Sequence, residues 1–124
     1  MKPDGNSAPR HLRRDALCLR QDDSGARFWS VALSRAQLTY FEVGPNCRFD
    51  SHRHRSEQIT LVLEGELYFE TASGLAHVQA GEVIAIPADV PHVVFTRALP
   101  AKAVDAWSPP NSTYANEPFT RKGT

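Results

Sequence analysis

Two histidines stand two residues apart in His52-Arg53-His54, just ahead of the apolar, β-branched run Ile59-Thr60-Leu61-Val62-Leu63. Along an extended strand, residues i and i+2 project to the same face, so the two imidazoles can converge on one point. Gln58 keeps that parity and lies close enough to join them, and a further histidine, His92, follows a second turn signal later in the chain. Imidazole nitrogens and an amide oxygen suit a divalent metal ion, at about 2.0–2.2 Å from each ligand atom. Burying three imidazoles without partners is costly, and an ion offsets that cost. His11 and His77 stand alone on their segments and read as ordinary surface or core side chains.

The expected cofactor is therefore one divalent ion (Ni, Zn, Mn, Fe or Co) held by His52, His54, Gln58 and His92. A neutral glutamine cancels none of the ion's charge, which favours Lewis-acid chemistry on a bound carboxylate, carbonyl or enol. Four protein ligands on an ion that prefers five or six leave positions open for water or substrate.

These residues need strands to hold them. From Ala16 onward the text alternates or runs apolar in short stretches: Arg27–Leu33, Gln37–Val43, Gln58–Leu63, Glu66–Thr71, Leu75–Gln79, Glu82–Ile86, His92–Arg97 and Lys102–Trp107, after a first one around Leu17 to Arg20. Turn residues separate them, among them Gly44-Pro45-Asn46-Cys47, which suits a type II turn with Asn46 at positive φ. No helical period is sustained, so roughly nine strands at about 8–12-residue spacing predict an all-β sandwich or barrel. Parity then orients the walls. Thr60 and Val62 follow Gln58 inward, and Val94 and Thr96 follow His92. Ile59, Leu61, Leu63, Val93 and Phe95 face the other way. Arg48 shares the parity of His52 and is a candidate to hold an anionic group, whereas Arg53 and Arg55 lie off parity and read as solvated. Tyr40 is a candidate hydrogen-bond donor or proton relay, with core packing the equal alternative.

Composition sets the outer limits. At 124 residues the chain is one domain. A formal net charge of zero argues against a nucleic-acid partner. No apolar run is long enough to span a membrane, and the default location is cytoplasmic. Cys18 and Cys47 form no CxxC pattern and are expected as thiols. Residues 1–15 read as a mobile arm, 16–110 as the strand domain and 111–124 as a polar tail with Tyr114 and Phe119 its sizeable anchors. Outward apolar residues and the arm favour a homodimer.

Two stretches together resemble the paired motifs of the cupin superfamily, small jelly-roll β-barrels. The first is carried by Asn46, His52, His54, Gln58 and Gly65, the second by Gly81, Pro87, Asp89, His92 and Thr96, with the family spacings kept. Asn46 and Asp89 stand where the family has glycine, Gln58 where it most often has glutamate, and Thr96 where it usually has asparagine. The end of the last strand, Asp105-Ala106-Trp107-Ser108-Pro109, is similar to that of a narrower set of cupins that ketonise unsaturated uronates in pectin and alginate breakdown. That resemblance implies Asp105 as general acid/base and Trp107 as a pocket wall, with Asn111 where the group has a carboxylate-gripping arginine.

The expectation is a metal-dependent isomerase or lyase acting on a small oxygenated acid or sugar-acid derivative. Asp105 or Tyr40 moves the proton, and Arg48, Trp107, Thr60 and Thr96 contact the small-molecule substrate. A cupin-type oxygenase and a non-enzymatic ligand sensor are the alternatives.

Overall fold

A computed structural model describes residues 8–22 and 25–114. Ten strands run through them: β1 Arg20–Gln21, β2 Arg27–Ala32, β3 Gln37–Val43, β4 Arg48–His52, β5 Glu57–Glu64, β6 Glu66–Thr71, β7 Gly74–Gln79, β8 Val83–Ile86, β9 His92–Phe95 and β10 Ala101–Ser108. They form a six-stranded sheet in the order β1-β2-β3-β10-β5-β8 and a four-stranded sheet in the order β4-β9-β6-β7. All strand pairs are antiparallel. This is the expected all-β, jelly-roll barrel.

The strand missing from the sequence reading is β4. Arg48-Phe49-Asp50-Ser51-His52 carries no β-branched residue and is not among the nine expected strands, although strand parity is applied to it above; pairing with β9 makes it a strand. That pairing contains a bulge between Phe49 and His52, because Phe49 lies opposite Val94 while His52 lies opposite His92. One extra residue is thus accommodated on β4, which shifts the alternation of its side chains.

Two apolar clusters fill the space between the sheets. Val62, Leu67, Phe69, Val78, Ile86 and Val94 form one, and Ala26, Phe28, Phe41, Val43 and Trp107 the other, with Phe49 packed against both. Strand β5 shows why the pattern works: Gln58, Thr60 and Val62 are buried, while Ile59 and Leu63 are 52% and 44% exposed on the opposite face. Val93 is buried as well, and Phe95 stacks on Tyr68 beneath the Arg97 guanidinium, so this outer face of β9 is covered within the chain.

Turn chemistry sets the strand ends. Asn46 and Asp89 adopt positive φ of 54° and 62°, which an Asx side chain tolerates better than most. Gly65, between β5 and β6, is stricter: φ is +74°, and a Cβ there would lie 2.0 Å from the Pro100 carbonyl oxygen. Cys18 and Cys47 are both thiols. Of the predicted arm, residues 1–7 lie outside the described residues, as does Phe119 of the tail; at Arg10 the guanidinium donates to the Ala32 carbonyl at 2.7 Å. No helix among the described residues is long and apolar enough to cross a membrane.

Candidate metal centre

His52 closes β4, His92 opens β9, and the two sit directly opposite in the antiparallel register. His54 lies in the loop between β4 and β5, not on a strand. Strand parity at i, i+2 therefore does not join it to His52. What aims His54 is the loop itself: its main-chain carbonyl accepts from the Asp89 N–H at 2.8 Å, tying it to the turn ahead of His92. Ring centroids of the three imidazoles are 4.3 to 5.6 Å apart, and their ligand nitrogens lie within 4.8 Å of one another.

Each imidazole is oriented from behind. The Nδ1 atoms of His52, His54 and His92 contact the main-chain carbonyls of Asp50, Ser56 and Val90 at 2.8, 2.9 and 2.8 Å. A carbonyl only accepts, so Nδ1 carries the proton and each Nε2 presents a lone pair. Such backing is how metal-binding histidines are held in one tautomer. His92 Nε2 is buried and has no hydrogen-bond partner among the described residues, an orphan that native interiors rarely leave. His54 Nε2 faces Gln58 Oε1 at 3.1 Å. Two lone pairs at that distance repel unless a cation lies between them or the ring takes a second proton. Burial lowers the pKa of His92, and the neighbouring His52 and His54 lower it further against the opposing Val90 hydrogen bond. The donor set fits a divalent ion: three imidazoles and one amide oxygen, all with lone pairs inward.

Gln58 is itself held. Its Nε2 donates to Thr60 Oγ1 at 2.9 Å, and the Thr60 hydroxyl donates to Asp105 Oδ1 at 2.5 Å. A hydrogen-bond chain thus runs from the candidate ligand to a buried carboxyl. Burial pushes the Asp105 pKa from 3.8 up to about 7, the Thr60 hydrogen bond pulling the other way.

Beside this polar wall lies a cavity whose other lining is apolar, including Phe41, Phe49, Phe69, Val94, Trp107 and Tyr114. Trp107 is fixed through Nε1, which donates to Thr39 Oγ1 at 2.9 Å. Thr60, Asp105 and Trp107 are thus brought together with His52, Gln58 and His92 around one space. Outside it, Arg48, Asp50, His54 and Asn111 line a basin of about 690 Å³, which shares Phe49, His52 and Tyr114 with the inner cavity.

Three expected site residues fall elsewhere. Tyr40 faces the outer side of the six-stranded sheet, stacked on Trp29, and its hydroxyl donates to Glu42. Burial and Glu42 raise its pKa to about 12, which unsuits it to relay protons near neutrality. Arg48 does not share the facing of His52, because the bulge intervenes; it is exposed beside Asp50 in the outer basin. Thr96 is buried as parity predicts, but its hydroxyl donates to the Gly44 carbonyl at 2.6 Å and accepts from the Cys47 N–H at 2.9 Å. It pins the turn and does not line the cavity.

Further aromatic residues line the cavity beyond those expected from the sequence. Phe41 and Phe49 line the cavity, Phe49 through the bulge. Tyr114, in sequence only a sizeable anchor of the polar tail, joins them. Its ring packs edge-on against Phe28 and Phe41 and stacks near Trp107, completing the cavity wall. An aromatic ring in a polar tail was the one available signal.

The fold has counterparts. A family model described as "Cupin domain" matches residues 39–107, more than half of the chain. A search of curated proteins gives no match. Among solved structures, the chain is similar to an RmlC-like cupin from Shewanella frigidimarina, with 16% identity and a TM-score of 0.78 over 87% of this chain and 97% of that one. It is also similar to KdgF from Halomonas sp., with 16% identity and a TM-score of 0.75 over 84% and 98% of the two chains. A third likeness is to the polyketide cyclase RemF from Streptomyces resistomycificus, with 23% identity and a TM-score of 0.68 over 90% and 91%. With the family motifs, the jelly-roll barrel and three histidines placed to coordinate a metal, the chain belongs to the cupin family.

Proposed function

We propose that the protein is a metal-dependent enzyme of the isomerase or lyase type, which moves a proton on a small oxygenated molecule. The observation that carries this reading is the chain Gln58–Thr60–Asp105, which joins the candidate ligand set to a buried carboxyl. His52, His54, Gln58 and His92 would hold the ion, Zn, Ni, Mn, Fe or Co. Bound there, it supplies a Lewis acid that polarises a substrate oxygen.

The remaining chemistry belongs to the protein. A carboxyl near pKa 7 both holds and releases a proton at neutral pH, the condition under which general acid–base catalysis is most effective. Thr60 fixes one carboxyl oxygen, leaving the other to exchange a proton with a ligand in the cavity. The apolar walls limit water near that group.

The test is proton exchange at the carbon next to a carbonyl. Zinc-loaded protein in heavy water with a simple ketone probe, followed by NMR, is expected to exchange those protons. Asp105→Asn should slow the exchange by about 10²–10⁴-fold. Equal rates for the two proteins would remove Asp105 from the mechanism.

The protein also acts, on this reading, as a homodimer through the outer face of the six-stranded sheet. Leu38, Ile59 and Val83 are 43%, 52% and 57% exposed there, and Ala106 lies in register between Leu38 and Ile59. Contiguous apolar surface of this kind favours burial against a second copy.

A further inference from the structure

We propose that the inner cavity selects a neutral, planar, ring-sized ketone or enol and discriminates against a sugar acid. This rests on the metal-centred reading above and names its substrate class. Three features of the cavity support it.

The first is charge. The polar lining is His52, Gln58, Thr60, His92 and Asp105 with the hydroxyl-bearing ring of Tyr114, and no lysine or arginine lines the cavity among the described residues. With the ion's open positions taken by the reacting oxygen, a carboxylate placed against the apolar wall would be buried without a counter-ion of its own, near the carboxyl of Asp105. Arg48 and Arg53 lie in the outer basin. Asn111, also there, has its side-chain oxygen on the Thr113 N–H at 3.0 Å and its own N–H on Gln37 Oε1 at 2.6 Å. It is in no position to replace a cationic clamp.

The second is hydrogen-bonding capacity. A sugar ring carries several hydroxyls, each of which needs a partner when buried. Phe41, Phe49, Phe69 and Val94 offer none, and the Trp107 N–H is already on Thr39. A flat conjugated ring needs none on its faces. It also matches a wall whose Trp107 and Tyr114 rings lie within 21° of parallel.

The third is size and rigidity. About 60 Å³ is open to the centres of water-sized molecules. At about 10–15 Å³ of such volume per water, this is room for about four to six waters, the bulk of a single six-membered ring. The Tyr114 side of the wall is built in. Buried Gln37 donates from Nε2 to the Tyr114 carbonyl at 2.6 Å and to Ser30 Oγ at 2.7 Å, while accepting from the Asn111 N–H. Tyr114 is therefore a specificity-determining residue.

Calorimetric titration of zinc-loaded protein with ortho-hydroxyacetophenone and with galacturonate tests this. The ketone is expected to bind at least about tenfold more tightly. Tyr114→Leu should weaken the ketone about fivefold or more and leave galacturonate unchanged. Galacturonate binding as tightly as the ketone, or Tyr114→Leu weakening both equally, would overturn the proposal. Zinc content measured on the same samples separates the two readings. Protein that takes up no zinc sinks the metal reading, and the same ligands ranked on that protein still judge the wall, with equal affinities counting against it.

Discussion

Thr60 and Asp105 face each other across neighbouring strands β5 and β10, and the Thr60 hydroxyl donates to the Asp105 carboxyl at 2.5 Å. Because Thr60 also accepts from Gln58, the state of the carboxyl and the position of the amide ligand are mechanically linked. Removing the hydroxyl while keeping the shape isolates that link. Thr60→Val is expected to weaken zinc affinity by about 10–100-fold, as loss of support behind a ligand does. Chelator competition measures it, and an unchanged affinity would show that Gln58 needs no such support.

Removing a ligand should be more damaging still. His92 is 2% exposed, and its Nε2 has no other partner among the described residues. His92→Ala should abolish stoichiometric zinc binding, while Gln58→Glu, which adds a negative charge to the shell, should tighten it. Metal analysis after dialysis against a weak chelator reads both. Full zinc content in His92→Ala would exclude this histidine as a ligand.

The raised pKa of Asp105 has a stability consequence in the metal-free protein. The folded carboxyl keeps its proton up to about pH 7, whereas the unfolded one releases it near 3.8. Between these values the folded state binds more protons, so stability falls as pH rises through the window. The effect is absent below the lower pKa and complete above the higher one, amounting to about 4 kcal/mol at most. His92 works in the opposite sense, since its folded pKa is lowered and stability is lost as pH falls below 6.5. The difference in Tm between the wild-type protein and Asp105→Asn, scanned from pH 4 to 8, isolates the carboxyl. A pH-independent difference would mean that Asp105 titrates normally.

Backbone conformation at the motif turns makes a paired prediction. Gly65→Ala brings a Cβ against the Pro100 carbonyl and should cost at least about 2 kcal/mol in denaturant unfolding. Asn46→Gly and Asp89→Gly relieve positive φ and should change stability by no more than about 1 kcal/mol, in the stabilising direction at best. Tolerance of alanine at Gly65 would contradict the close approach of β5 and β10 at that point.

The dimer proposal is tested at the centre of the outer sheet face. Ile59→Asp places a charge among exposed apolar side chains without touching the cavity. Sedimentation at micromolar concentration should show a dimer for the wild-type protein and a monomer for this variant. A monomeric wild-type protein would remove the dimer from the account.

The sequence alone determined those features that depend on local chemistry. Strand periodicity placed Gln58, Thr60 and Val62 on one buried face, because alternation along β5 is unbroken. Asn46 and Asp89 were legible as turn residues because positive φ restricts the choice of side chain. Motif spacing grouped His52, His54, Gln58 and His92, and it did so although the strand argument for His54 failed.

Only the tertiary structure decided the rest, through contacts between segments distant in the chain. The bulge in β4 is set by its pairing with β9, and it turns Phe49 inward with His52 and leaves Arg48 outside. Tyr40 faces outward because Thr39 and Phe41, its neighbours on β3, are buried. Tyr114 becomes part of the cavity because Gln37, on the same strand, holds the chain after β10 against the barrel. No local pattern encodes such long-range hydrogen bonds. They determine which walls surround the four candidate ligands.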